Sequence, residues 1–182
     1  VGPGVGTTTI SPVVSGPAQS NFEITLTNGS YEIMKAPVTA TAGSGSGFYN
    51  GSTQSPSACV VSGVYTGGLA CANNPDAVGP GVGTTTISPV VSGPAQSNFE
   101  ITLTNGSYEI RKAPVTATAG SGSGFYNGST QSPSACVVSG TYTGDLTCAN
   151  NPALVGPGVG TTTISPVVNG PAQSNFEITL TN

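Results

Sequence analysis

Apolar and polar residues alternate along short stretches of this chain, and the stretches end at glycine, proline or asparagine. The clearest case is Phe-Glu-Ile-Thr-Leu at 99–103, which is followed after Asn105-Gly106 by Tyr-Glu-Ile at 108–110. Alternation with a period of two residues is typical of a half-buried β-strand. Glycine or proline interrupts nearly every window that could form an amphipathic helix. The pattern therefore predicts an all-β, or mostly β, fold of short strands, with the glycine-rich residues 43–47 as a loop.

Two Asn-Gly dipeptides predict β-hairpins with two-residue type I′ turns, because these residues tolerate the positive φ angles that the turn needs. The dipeptides are Asn28-Gly29 and Asn105-Gly106. In the second hairpin Leu103 would face Tyr108 and Ile101 would face Ile110. All the large apolar side chains would then share one face of the pair, which supports this register.

A 28-residue stretch occurs three times along the chain. It occupies 1–28, 78–105 and 155–182, and the copies differ at one position, where the third has Asn169 in place of serine. The copies start 77 residues apart, since 78 − 1 = 77 and 155 − 78 = 77. Solenoid repeats run to roughly 20 to 45 residues, so a period of this length suits a small autonomous domain better. We therefore expect a tandem array of small β modules with a 77-residue period.

The module boundaries are expected just after the alternating stretches, where a Lys-Ala-Pro sequence occurs twice. The junction residues are Lys35, Pro37, Lys112 and Pro114. This division makes residues 1–35 the C-terminal part of a preceding module. Residues 36–112 would form one complete module, and residues 113–182 a module lacking its last strand.

Charge is scarce and its sign is negative. The chain has 3 Lys and Arg residues against 7 Asp and Glu residues, no histidine, and a net charge of −4. Binding to nucleic acid is driven by Lys and Arg, so this composition argues against a nucleic-acid partner. No apolar run approaches the roughly 18 residues that a transmembrane helix needs, so we expect no membrane insertion. Without histidine a Ser-His or Cys-His pair cannot form, and we expect neither enzymatic activity nor a cofactor.

The four cysteines form two pairs with equal spacing. Cys59 and Cys71 are 12 positions apart, as are Cys136 and Cys148. One pair per period favours one disulfide per module, formed in an oxidising compartment, over free buried thiols. A metal site would usually have closer ligands and histidine among them. The cysteines therefore predict an extracellular or cell-surface protein.

Three motifs recur with the period: Asn-Phe-Glu-Ile-Thr-Leu-Thr-Asn-Gly-Ser-Tyr-Glu-Ile, Lys-Ala-Pro-Val-Thr-Ala-Thr-Ala and Tyr-Asn-Gly-Ser-Thr. Together they resemble the MBG ("mostly beta-grasp") and YDG-type repeats of long bacterial surface and secreted adhesins. The resemblance implies Ig-like or β-grasp-like modules in an elongated extracellular protein, with module boundaries at Lys-Ala-Pro and no enzymatic activity. The cysteine pairs depart from most such repeats.

These patterns together predict a non-catalytic stalk or fibre segment of an adhesin or surface filament. Its partners would be neighbouring modules or chains of the same protein, and a host or environmental surface or glycan. One alternative is a self-assembling filament, in which a strand from another chain pairs with the edge at 176–180. The other is a glycan-binding module. Its exposed aromatic platform would come from Tyr49, Tyr65, Tyr126 or Tyr142.

Overall fold

The computed structural model describes residues 4–182, and in that range it contains fourteen strands, three short 3-10 turns and no α-helix. The mostly β fold predicted from the alternation is therefore confirmed. Residues 1–3, which belong to the expected preceding module, lie outside the described residues. The strands are β1 Gly6–Ile10, β2 Gly29–Ile33, β3 Ala36–Thr41, β4 Gly45–Phe48, β5 Val60–Gly63, β6 Ala70–Asn74, β7 Gly83–Ser92, β8 Phe99–Thr104, β9 Gly106–Arg111, β10 Ala113–Thr118, β11 Val137–Gly140, β12 Thr147–Asn151, β13 Ser165–Asn169 and β14 Phe176–Thr181.

The strands pair in three groups that follow one another along the chain. Strands β1 and β2 form a two-stranded antiparallel sheet, which we call the N-terminal pair. Strands β3 to β9 form the central group, with one sheet in the order β5-β3-β8 and another in the order β4-β9-β7-β6. Strands β10 to β14 form the C-terminal group, with the sheets β11-β10-β14 and β12-β13. Among the described residues, no sheet combines strands from two groups.

Parallel pairs join strands that are far apart in sequence. In the central group β3 runs parallel to β8 over six positions, from Ala36 opposite Phe99 to Thr41 opposite Thr104. In the C-terminal group β10 pairs with β14 in the same way, starting with Ala113 opposite Phe176. Each pair joins residues 63 positions apart, since 99 − 36 = 63 and 176 − 113 = 63.

The predicted hairpin at Asn105-Gly106 is wrong. Strands β8 and β9, on either side of Asn105, lie in different sheets. Neither Asn105 nor Gly106 has a positive φ, so no type I′ turn forms. Alternation identifies the buried face of a strand but not the strand beside it. Here Phe99 on β8 and Tyr108 on β9 are buried in different core clusters.

The predicted hairpin at Asn28-Gly29 is wrong for a related reason. Gly29 is the first residue of β2, and β2 pairs with β1 instead of with residues 22–28, which lie outside any strand. Strands β8 and β14 both depend on a partner 63 residues earlier. The positions that correspond to 22–27 in the later copies, 99–104 and 176–181, form these two strands.

The glycine-rich stretch predicted as a loop contributes a strand instead. Strand β4, Gly45–Phe48, runs parallel to β9, with Gly45 opposite Tyr108. The Tyr108 ring lies so close to β4 that a Cβ atom added at Gly45 would be 2.6 Å from its Cε2 atom. The glycines therefore create the space that the tyrosine ring occupies.

Two clusters of buried side chains fill the central group. The first, the Phe99 cluster, joins Val38 and Leu69 to Phe99. The second is the Ile87 cluster: Ala42, Val78, Ile87, Tyr108 and Ile110. The C-terminal group has a counterpart of the first, the Phe176 cluster: Ala113, Val115, Leu146 and Phe176.

Both predicted disulfides are present, Cys59–Cys71 and Cys136–Cys148, each with a Cα–Cα distance of 5.6 Å. Cys59 directly precedes β5, and Cys71 lies in β6. Because β5 and β6 are edge strands of different sheets, the first bond ties the two sheets of the central group together.

Candidate functional site

The three groups of strands are linked by very short segments. Two residues, Met34 and Lys35, separate β2 from β3, and Lys112 alone separates β9 from β10. Both lysine side chains are exposed. The other two predicted junction residues, Pro37 and Pro114, are the exposed second residues of β3 and β10. Links of this length leave each group next to the one before it.

An asparagine makes the same hydrogen bond at both junctions. The backbone N–H of Val5 donates to Oδ1 of Asn98 at 3.4 Å, and the backbone N–H of Val82 donates to Oδ1 of Asn175 at 3.4 Å. Both contacts span 93 residues. The second occurs one period after the first, because 82 − 5 = 77 and 175 − 98 = 77. Each asparagine ends a 3-10 turn and directly precedes a buried phenylalanine.

Aromatic rings pack across the second junction. Tyr49 of the central group meets Phe176 edge to face at a centroid distance of 5.3 Å, and meets Tyr142 in the same manner at 5.7 Å. Tyr142 itself stacks on Phe176 at 6.2 Å. The Tyr49 backbone N–H donates to the carbonyl oxygen of Arg111 at 2.8 Å, which holds the ring near the end of β9. Tyr49 therefore contributes to the cores of two neighbouring groups.

The counterparts of Tyr142 and Tyr49 one period away, Tyr65 and Tyr126, have exposed side chains. Tyr65 stacks on Phe99 at 6.0 Å, as Tyr142 does on Phe176, but its side chain is 67% exposed. Tyr126, one period after Tyr49, is 69% exposed. Of the four tyrosines considered for a glycan platform, the two exposed ones thus lie in different groups.

Sequence reasoning did not single out Asn98 or Asn175, and it did not assign Tyr49 to a junction. The asparagines stand in the 28-residue stretch that occurs three times, directly before the alternating residues. That position resembles an ordinary turn asparagine, so the residue type carries no signal for a long-range contact. Only the equal spacing of the two contacts distinguishes them from other turns.

Replacing Tyr49 with alanine is expected to destabilise the C-terminal group by about 1 to 3 kcal/mol. The change removes two edge-to-face ring contacts, each worth roughly 0.5 to 1.5 kcal/mol beyond the buried area. Urea denaturation followed by circular dichroism measures the loss. Tyr126→Ala is the matched control, because that ring lacks these contacts and its removal should change the unfolding free energy little. Equal effects of the two substitutions would contradict the junction role of Tyr49.

No group of three or more His, Cys, Asp or Glu side chains within 4–182 is placed to hold a metal ion. No helix in the same range is long and apolar enough to cross a membrane.

The chain matches no protein-family model, no curated protein and no solved structure.

Proposed function

We propose that this chain is a non-catalytic structural segment of an extracellular repeat protein, in which small disulfide-containing β modules are joined in series as a stalk or fibre. The modules are residues 36–112 and 113–182, and residues 1–35 complete a preceding module. The observation that carries the proposal is the recurrence of one junction contact. Asn98 and Asn175 accept the same backbone hydrogen bond one 77-residue period apart.

A recurring junction favours a linear arrangement. Each contact joins one surface of a module to a different surface of the next, so it can be repeated without closing on itself. The links of one or two residues restrict how far neighbouring modules can separate. A chain built in this way gains length with every added unit, which is what a stalk or fibre requires.

The two disulfides and the small apolar cores support an extracellular location. Disulfides persist in oxidising compartments, where small domains use them to supplement a limited hydrophobic core. The described residues include no buried polar or charged side chain, so each module relies on a small apolar core and its covalent bond. The resemblance to MBG and YDG-type repeats points to the same environment, and membership of that class is part of the proposal.

The length of proteins with two, three and four 77-residue units tests the proposal. A compact unit of this size has a radius of gyration of roughly 11 to 12 Å, so each added unit should lengthen the particle by roughly 30 to 40 Å. Small-angle X-ray scattering at dilute concentration measures the maximum dimension. A flexible glycine-serine insertion after Lys112 is the control, and it should broaden the distribution of lengths. A maximum dimension that stays constant as units are added would overturn the serial arrangement.

A further inference from the structure

One strand that recurs in the sequence lies at the edge of its sheet in both larger groups. Residues 99–104 and 176–181 both read Phe-Glu-Ile-Thr-Leu-Thr. They form β8 at the edge of the sheet β5-β3-β8, and β14 at the edge of the sheet β11-β10-β14. One side of each strand pairs with β3 or β10. Within residues 4–182 no strand pairs with the other side, which we call the free edge.

The free edge is present in two different surroundings. Strand β8 is followed by β9 and by the C-terminal group, and none of these strands covers its free edge. Strand β14 is preceded by all the strands of the central group, and none of those covers its free edge either. The two strands also share one pattern of exposure, and Leu103 and Leu180 are each 57% exposed. The free edge is therefore a property of the repeated unit.

The backbone groups that reach the free edge of β8 belong to Ile101 and Leu103. The carbonyl oxygen of Thr104 accepts a hydrogen bond from the Ala42 N–H at 2.9 Å, so this carbonyl points to the side of β3. The direction of the backbone groups alternates from residue to residue along a strand, so those of Ile101 and Leu103 point away from β3. Two N–H and two C=O groups are therefore available for pairing at this edge.

The sequence of the free edge lacks the features that usually prevent an edge strand from pairing with another molecule. Such edges contain proline, lysine or a β-bulge. Residues 99–104 contain neither proline nor lysine, and they face 36–41 one to one without a bulge. Their only charged residue is Glu100. A short segment of β-branched and aromatic residues with little charge is the kind that pairs readily with other strands.

We propose that the free edge pairs in antiparallel orientation with the free edge of a second copy of this chain. In the register that places Thr102 opposite Thr102 of the second copy, Ile101 of each copy lies opposite Leu103 of the other. Facing residues in such hydrogen-bonded positions exchange two bonds, so all four available backbone groups of each edge find a partner. The two sheets then continue into one, with three strands from each copy.

The side chains suit this register. Leu103 would pack beside Ile101 of the second copy and lose part of its exposed apolar surface. On the other face Glu100 would lie opposite Thr104, which keeps the two carboxylates apart. A parallel arrangement in register would place the two Glu100 side chains next to each other, and like charges in facing positions are unfavourable. The free edge therefore favours antiparallel pairing.

The backbone also disfavours a register shifted by two residues. That register would place Phe99 opposite Leu103 of the second copy and would require the Phe99 N–H as a donor. This N–H already donates to the carbonyl oxygen of Gln96 in the preceding 3-10 turn. The register centred on Thr102 does not use Phe99, so it leaves that hydrogen bond intact.

A single contact of this kind is small, because each strand has six residues. Small interfaces are typical of weak, transient association. The edge recurs one period later, since 176 − 99 = 77, so a chain offers one such contact for every unit. Several weak contacts between the same two chains strengthen one another where the geometry lets them form together. This inference concerns contacts beside the chain and does not depend on the proposed stalk function.

Cysteine cross-linking tests the register of the contact. In the proposed pairing the two Thr102 residues form a non-hydrogen-bonded pair, whose Cα atoms are about 4.5 Å apart and within the range of a disulfide. The four cysteines of the chain are already paired with each other. Thr102→Cys at high protein concentration should therefore form a covalent dimer under mild oxidation by oxidised glutathione. Non-reducing gel electrophoresis measures the dimeric fraction.

Thr104→Cys is the matched control, because Thr104 is exposed on the same face of the same strand. In the proposed register the two copies of residue 104 are four positions apart along the strands, roughly 13 Å, which no disulfide spans. This variant should form little dimer. Equal dimer formation by the two variants, or none by Thr102→Cys at the highest concentration, overturns the proposed pairing.

Association without a cross-link supplies a second readout. The double variant Leu103→Lys, Leu180→Lys places a charge on both free edges and should weaken association by about 10-fold or more. The matched control is Val60→Lys, Val137→Lys, since these valines are 57% and 58% exposed on the opposite edge strands, β5 and β11. This control should associate like the unaltered chain. Analytical ultracentrifugation over a range of concentrations measures the difference.

Equal weakening by the two double variants, or an unaltered chain that stays monomeric at the highest concentration, overturns the inference. Circular dichroism shows whether each double variant is folded, and if the variant at Leu103 and Leu180 is not, the cross-linking result decides. None of these results bears on the stalk proposal, because that proposal is tested on the length of one dilute chain.

Discussion

Replacing Ile87 with alanine is expected to lower the free energy of unfolding of the central group by about 2 to 5 kcal/mol. Ile87 is the largest fully buried side chain among the described residues and lies in the Ile87 cluster with Tyr108 and Ile110. Truncation leaves a cavity between packed strands that cannot close without moving the backbone. Urea denaturation followed by far-ultraviolet circular dichroism measures the change.

Ile164→Ala is the control for this experiment, because it is the same substitution one period later. Ile164 is partly exposed, so its truncation leaves no enclosed cavity. The loss of unfolding free energy at Ile164 should be less than half of that at Ile87. Losses of equal size at the two positions would contradict the difference in packing between the central and C-terminal groups.

Removing the Cys59–Cys71 disulfide is expected to destabilise the central group by about 3 kcal/mol. In the chain-entropy model, that is the contribution of a bond closing a loop of this length. For a unit of this size, such a loss corresponds to a decrease in Tm on the order of 15 °C. The bond also joins edge strands of two sheets, so its loss frees the sheets to separate. Differential scanning calorimetry of the Cys59→Ser, Cys71→Ser double variant measures the decrease.

The second disulfide provides the comparison. The Cys136→Ser, Cys148→Ser variant should lower the melting temperature of the C-terminal group and leave the transition of the central group in place. Treating the unaltered protein with a reducing agent should lower both transitions. If the double variant at Cys59 and Cys71 melted at the temperature of the unaltered protein, the bond would have no stabilising role.

Local patterns in the sequence predicted the strands, but not which strands lie side by side. The alternation at 99–103 and 108–110 identifies two strands and their buried faces, and both strands exist. The same alternation is compatible with a hairpin or with two sheets. The choice depends on β3, which lies 63 residues before β8 and pairs with it in parallel. A pairing between residues 63 positions apart cannot be predicted from the pattern within either strand.

The glycine-rich residues 43–47 show a second limit of local reasoning. Glycine favours loops because its backbone is permissive, and this general property predicted a loop. The structure needs Gly45 because the Tyr108 ring covers the strand there, and Gly47 because the side chain of Gln54 lies against it. Tyr108 follows Gly45 by 63 residues, so the reason for the glycines lies outside their own segment.

The candidate site was predictable only in part. The cysteine spacing predicted both disulfides, since one pair per period is a strong pattern by itself. The contact between Asn98 and Val5 was not predictable, because a turn asparagine and a backbone N–H carry no distinctive chemistry.

The parallel pairing of β3 with β8 decides how the central group responds to tension. The chain enters this group at Ala36, the start of β3, and leaves it at Arg111, the end of β9, which follows β8 after one residue. Pulling on these two ends first loads β9 against its parallel partner β4, and then draws β3 and β8 past each other along their length. The hydrogen bonds between their six facing pairs then resist the force together, instead of opening one after another. The arrangement that leaves Asn105 without a hairpin therefore makes the group stiff against stretching along the chain.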